Sequence, residues 1–156
     1  MTHLDPLQLR KQIKTVLAPV NLYSPEAEEL LVATCAQESL MGTYRTQAPH
    51  GPARGIFQEE GNDFNDLVAW LAARHQPLLA WAQSLSTNFC VDDLVNNDQL
   101  AIAICRLHYF RCTGLLPAKT DLKALWWYHK VHYNSVGGAA TQEEFDQHYK
   151  MFALTP

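Results

Sequence analysis

The chain has 156 residues, 47% of them hydrophobic and 18% charged, which is enough apolar material for a compact core and too much for a linker or disordered tail. A formal net charge of −4 excludes a whole-protein electrostatic pull toward nucleic acid, which would need a local basic patch instead. No run approaches the ~20 apolar residues of a membrane span.

The opening residues Met1-Thr2-His3-Leu4-Asp5-Pro6 carry no basic cluster followed by an apolar stretch, so they do not read as a secretory signal. Cys35, Cys90, Cys105 and Cys112 match no disulfide scaffold in their spacing and are expected to be reduced, mostly buried thiols of a protein made in a cytosol.

The periodicity is helical nearly throughout. Leu9, Ile13, Val16 and Leu17 predict an amphipathic helix that stops before Pro19. Ser24-Pro25-Glu26 reads as N-cap, first-position proline and first-turn acid of a second helix, whose apolar stripe is Ala27, Leu30, Leu31, Thr34 and Cys35. From Leu40 to Asn62 the pattern breaks. Gly42, Pro49, Gly51, Pro52 and Gly55 mark a long glycine-rich loop with room for a short strand pair, and a loop of that length in a compact domain is usually functional.

A third helix carries Phe64, Leu67, Val68 and Leu71, and Pro77 starts another with Leu78, Leu79 and Ala82. The segment from Leu100 to Cys105 is apolar all round, the mark of a helix buried on every side. The helical face with Arg106 and Arg111 is expected to be solvated. Thr120-Asp121 caps a helix rich in Trp126, Trp127 and Tyr128, and a turn is expected at Val136-Gly137-Gly138. Thr141-Gln142-Glu143-Glu144 is a capping box that opens a last helix with Phe145, Tyr149 and Phe152. The expectation is one mostly α domain spanning residues 1–156, with a single glycine-rich excursion.

Glu38 stands out because it continues the stripe of the second helix and so faces the core side near that helix's end. A carboxylate there is costly unless it is paired or protonated. Protonated, it is placed for general acid catalysis; paired with Arg45 or Arg54, it is a structural ion pair.

Three short motifs follow one another at informative spacing: Gln37-Glu38-Ser39, then Gly55-Ile56-Phe57-Gln58, then Tyr133-Asn134. In this order they resemble the soluble lytic transglycosylases and the related goose-type lysozymes. The fuller strings resemble small lysozyme-like proteins of tailed bacteriophages: Gln47 with Gly51 to Gln58, Leu107-His108-Tyr109-Phe110-Arg111, and Tyr133-Asn134 with Ala140 to Phe145. The second motif has Ile56 and Phe57 where the family has Leu-Met, and the third lacks the family's alanine. The matching segments run from Thr34 to about Tyr149.

The resemblance implies a lysozyme-like domain that cleaves peptidoglycan glycan strands. Glu38 would protonate the glycosidic oxygen between N-acetylmuramic acid and N-acetylglucosamine, with Ser39 a polar neighbour. Gly55 would let the backbone approach the sugar, and Gln58 would contribute an amide to the cleft. Tyr133 would hydrogen-bond Glu38 or the N-acetyl group, and Asn134 would shape the turn. A transglycosylase needs only the one glutamate and makes a 1,6-anhydro product. A hydrolytic muramidase would use a second carboxylate, and Glu60, two places after Gln58, is the candidate. Asp63 is a weaker candidate, and all three acids, Glu59 and Asp63 more than Glu60, also read as first-turn acids of the next helix. The net charge gives no attraction to anionic murein, so the site has to carry the reading. No cofactor is implied. Expected partners are the glycan strands and other phage virion or lysis proteins, which would deliver the enzyme from the bacterial cytoplasm to the wall.

Two rivals remain at this stage. His129 and His132, spaced i, i+3, with His148 further on, could belong to a zinc amidase, although no His-Glu-x-x-His pattern or cysteine pair supports a metal site. A virion or assembly protein of lysozyme-like shape without activity would use Trp81, Trp126 or Trp127 as contacts. The same rings could stack sugars or fill the core.

Overall fold

Caps and proline placement begin the helices where the sequence predicts. The computed structural model describes residues 2–47, 49–134 and 137–154. Asp5 accepts from the backbone N–H of Leu7, and Pro6 opens α1 (Pro6–Leu17), which buries Leu9, Ile13, Val16 and Leu17. Pro19 falls in the 3-10 turn Ala18–Val20 that ends it. Ser24 accepts from the N–H of Ala27 and starts α2 (Pro25–Ser39). There follow α3 (Gly61–Arg74), α4 (Gln76–Ser84), α5 (Asp98–Phe110), α6 (Leu122–His129) and α7 (Gln142–His148). Asn97, Asp121 and Thr141 cap the last three. Single π-helical turns, Lys130–Asn134 and Tyr149–Ala153, extend α6 and α7.

The fold is mostly α, and among the described residues it has no strand. The pair expected between residues 40 and 62 is reduced to two isolated antiparallel bridges, Thr46 to Arg54 and Arg54 to Glu59. The second bridge has no room for more: Gly55 and Gln58, both at positive φ, bracket the tight turn that brings Glu59 back onto Arg54. Of the turn expected at Val136-Gly137-Gly138, Val136 lies outside the described residues. Among those residues no helix is long and apolar enough to cross a membrane.

Two helices form the centre. α5 is buried on nearly every side from Leu100 to Tyr109, as its composition predicts. α2 was expected to show one stripe, yet every side chain from Leu30 to Ala36 is buried. The reason is its company, since α1, α5, α6, α7 and the final π turn all pack on it. α3 and α4 pack on each other and on α5. Two expectations fail at the edges of this core. Cys90 is exposed and Cys112 only half-buried, so the thiols divide evenly between core and periphery. Arg106 is half-buried rather than solvated, its Nε donating to the carbonyl of Leu22 at 2.9 Å.

A polar knot fastens the chain's two ends to α2. Glu29, 8% exposed, accepts a two-pronged bond from Arg10 at 2.7 and 2.9 Å and a third from the Tyr149 hydroxyl at 2.6 Å. Burial, then the neighbouring Glu29 carboxylate, pushes the Tyr149 phenol up from 10.0 to about 12. A raised folded-state value means the contribution is fully present below pH 10 and is lost as pH climbs toward 12. Urea titrations across that window should show wild-type stability falling with pH, and Tyr149→Phe should flatten the fall. An identical alkaline slope in the variant would show that Tyr149 is not part of the linkage.

Candidate active site

The end of α2 is bent sharply. Leu40, Met41 and Gly42 all have positive φ (49°, 56° and 76°), an uncommon run for two non-glycine residues. Ser39 holds it. Its hydroxyl, fully buried, donates to the Ile56 carbonyl at 2.6 Å and accepts from the Gly42 N–H at 2.7 Å. Ser39 therefore binds the 40–60 segment to the helix end. It is not among the residues lining the cleft, contrary to the neighbour role expected of it.

The same segment then presents the second motif. Gly55 is buried at φ +78°, and a Cβ there would sit 2.8 Å from the Leu94 carbonyl oxygen. The glycine is thus required by close packing against the turn Val91–Val95, and Gly55 is not among the cleft-lining residues, where an approach to sugar would need it. Ile56 and Phe57 are core. Gln58, at φ +51°, turns its amide back, with Nε2 donating to Gly55 O at 2.8 Å, and its side chain lines the cleft. Glu59 is clamped through its backbone, which exchanges bonds of 2.8 and 2.9 Å with Arg54.

Glu38 lies at the edge of the core, its side chain 18% exposed. The arginines that might have neutralised it are engaged elsewhere, Arg45 with Asp98 and Arg54 with Asp92. Its neighbour is His129, at the last position of α6 and fully buried. Glu38 Oε1 and His129 Nε2 are 3.0 Å apart, buried, and without any other polar partner, though not aligned as a straight hydrogen bond. His129 Nδ1 meets the Tyr109 hydroxyl at 3.1 Å, Tyr109 meets Thr34 Oγ1 at 2.8 Å, and Thr34 donates to the Leu30 carbonyl at 2.8 Å.

A second carboxyl–imidazole pair faces the same cleft. Glu59, 4% exposed, has Oε1 3.3 Å from His108 Nδ1. Arg111 stands 3.0 Å from His108 Nε2, and a guanidinium can only donate. His108 Nε2 is therefore the acceptor and its Nδ1 carries the hydrogen, which is not aligned on Glu59, so Nδ1 and Oε1 are close without forming a hydrogen bond. The Tyr133 hydroxyl donates to Phe57 O at 2.8 Å, with Glu59 Oε2 a weaker second acceptor at 3.2 Å. Burial raises that phenol well above 10.0, so it remains a donor.

These groups line a cleft of about 420 Å³, with Tyr44, Gln47, Asp63 and Asn134 at its walls. Four of the anticipated residues meet there with Glu38: Gln58, Glu60, Tyr133 and Asn134. Glu60 is exposed and precedes α3 without capping it through its side chain. Asn134 accepts from Lys130 Nζ at 3.4 Å and ends the π turn. Sequence reasoning took Glu59 for a first-turn acid and His129 for half of a metal pair, and gave His108, Tyr109 and Thr34 no place at the site. The available signal was a histidine and a tyrosine inside the otherwise apolar α5, where each needs a buried partner. The tryptophans do not reach the cleft; Trp127 is 60% exposed and Trp126 is buried against Phe145. Among the described residues no group of three or more His, Cys, Asp or Glu is arranged to hold a metal ion. The His132 ring packs on Tyr128, its centroid 4.4 Å away.

Comparison with protein-family models, with curated proteins and with solved structures gives no match.

Gly55→Ala should lower stability by about 2 kcal/mol or more, combining a positive φ with a backbone collision. Thermal and denaturant unfolding measure this directly. A variant of wild-type stability would return Gly55 to the cleft role that the packing against Leu94 argues against.

Proposed function

We propose that the chain cleaves the β-1,4 bond between N-acetylmuramic acid and N-acetylglucosamine in peptidoglycan, acting as a lytic transglycosylase of lysozyme-like fold. The observation that carries this reading is Glu38, a carboxyl at the end of a buried helix. One of its oxygens is sealed against a buried imidazole while the side chain lines a polar cleft with Gln58, Glu59 and Tyr133. A general acid needs a proton held within reach of the leaving oxygen and little competing water. The gathering of Glu38, Gln58 and Tyr133 about one cleft also agrees with the motif resemblance.

In this mechanism Glu38 gives its proton to the glycosidic oxygen as the bond to C1 of the muramic acid breaks. The carboxylate then takes the proton of that sugar's 6-hydroxyl as O6 bonds to C1, closing the 1,6-anhydro ring. No water enters. Glu59, 3.3 Å from His108 Nδ1 and within reach of the Tyr133 hydroxyl, is a carboxyl fixed on the cleft wall where positive charge would develop on the ring. Delivery to the wall is assigned to phage virion or lysis proteins.

A second reading, hydrolysis, is favoured by one observation. A carboxylate other than Glu38 is built into the cleft, and it is Glu59 rather than the exposed Glu60. Glu59 would orient water against C1. Mass spectrometry of murein digests separates the two, because hydrolysis adds a water to each product and anhydro closure adds none. We expect 1,6-anhydro ends from the wild type and from Glu60→Gln, and no cleavage by a folded Glu38→Gln protein. Reducing ends that vanish in Glu59→Gln would establish the hydrolase. Near wild-type cleavage by Glu38→Gln would remove the assignment altogether.

A further inference from the structure

Four buried groups lead from the cleft into the core, and their hydrogens can be counted. The Leu30 carbonyl can only accept, and Thr34 Oγ1 stands 2.8 Å from it, so the single hydroxyl hydrogen of Thr34 lies between them. Thr34 Oγ1 must then accept from the Tyr109 hydroxyl, 2.8 Å away. Burial raises the Tyr109 phenol well above 10.0, so it keeps its hydrogen to donate. With that hydrogen directed to Thr34, the Tyr109 oxygen can only accept from His129 Nδ1 at 3.1 Å. Nδ1 therefore carries a hydrogen, and Nε2 of the neutral ring is left with a lone pair 3.0 Å from Glu38 Oε1, though not in line with it. Neither atom has another partner. Two electron-rich atoms this close in a buried contact repel, and a proton on either one relieves the contact.

We infer that Thr34 and Tyr109 fix the tautomer of His129 so that one proton is held between His129 Nε2 and Glu38 Oε1, which makes His129 the positioning residue that keeps the cleft's acid loaded. The inference rests on the reading of Glu38 as the acid. When Glu38 delivers this proton to a leaving oxygen, the carboxylate left behind faces a neutral imidazole. The proton taken from the sugar's 6-hydroxyl restores the starting state, so the count closes over a turnover.

The other groups around the pair are Cys105 and Tyr109 from α5, Tyr133 from the π turn, and Glu59 with His108 on the cleft wall; α7 adds the Phe145 ring. Burial raises Cys105, Tyr109 and Tyr133 well above their ordinary values, so they stay neutral across the working range. Glu59 and His108 are the other carboxyl and imidazole beside it.

The test is side-chain nitrogen NMR of the intact protein labelled at histidine, with His129 assigned through its backbone. A hydrogen on Nδ1, whether the ring is neutral or cationic, is the expected result. A hydrogen-free Nδ1 with the proton on Nε2 means the chain runs the other way and overturns the inference. Kinetics on murein supply the second readout. His129→Gln should lower kcat about 100-fold with little change in KM. The alkaline limb of its pH–rate profile should move down, because the pair's last proton has lost one of its two bases. Tyr109→Phe should move the same limb in the same direction. An unmoved limb in both variants would reduce His129 to packing. An active Glu38→Gln enzyme sinks the proposed function, whereas an Nδ1 without hydrogen sinks this inference alone.

Discussion

Helix α2 has no face left for water over most of its length, so its polar atoms are satisfied by the elements packed around it. Each unsatisfied one would cost about 1–3 kcal/mol, a large fraction of a domain's net stability. Glu29 is met by Arg10 of α1 and Tyr149 of the last turn. Thr34 is met by Tyr109 of α5 and Ser39 by Ile56 and Gly42 of the following segment, while Glu38 Oε1 is set 3.0 Å from His129 of α6 without a formed hydrogen bond. Burying the helix and assembling the cleft are thus one event. The polar residues that survive burial are the ones that tie α2 to each of its neighbours, and the last of those ties ends in the cleft.

The backbone around the cleft carries the strain that this arrangement requires. Leu40 and Met41 follow Glu38 in left-handed conformation, and Gln58 does so just before Glu59. Each such residue costs of order 1–3 kcal/mol and persists only where its surroundings over-determine it. Here the determinants are visible. Met41 is fully buried and its carbonyl accepts from Leu4 N at 2.8 Å, while Gln58 is pinned by its own amide on Gly55. Both bends deliver a glutamate to the cleft: the first ends a helix just past Glu38, and the second reverses the chain so that Glu59 points inward rather than joining α3.

What could be read from the sequence follows from which signals are local. Helix starts were legible because a cap is a short-range contact, and Ser24, Asp121 and Thr141 each accept from an N–H three residues on. Glu38 was legible as an acid out of place on an apolar stripe. Its partner was not, since His129 lies on a helix far along the chain and read as half of a metal pair. Glu59 was misread for a related reason. An acid shortly before a helix has a sufficient local explanation in the helix dipole, and only the reversal at Gln58 and the arrival of His108 from α5 give it a different task. The strand pair failed because glycines and prolines mark a break in helical periodicity without saying how soon the chain turns back. Long-range pairing of polar groups leaves no periodic trace, and this site consists mostly of such pairings.

The two carboxyl–imidazole pairs are alike in composition and opposite in polarity. At the first, Arg111 donates to His108 Nε2, so the ring's hydrogen is on Nδ1, the atom 3.3 Å from Glu59, and the Tyr133 hydroxyl lies near the other oxygen. At the second, the chain from Leu30 through Thr34 and Tyr109 places the His129 hydrogen on the core side, which leaves the bare nitrogen beside Glu38. Neither histidine does this by itself. Each is turned by the group behind it, a guanidinium in one case and a tyrosine hydroxyl in the other. The same two side-chain types thus meet at one cleft in two different settings, and the difference lies in the groups behind the histidines.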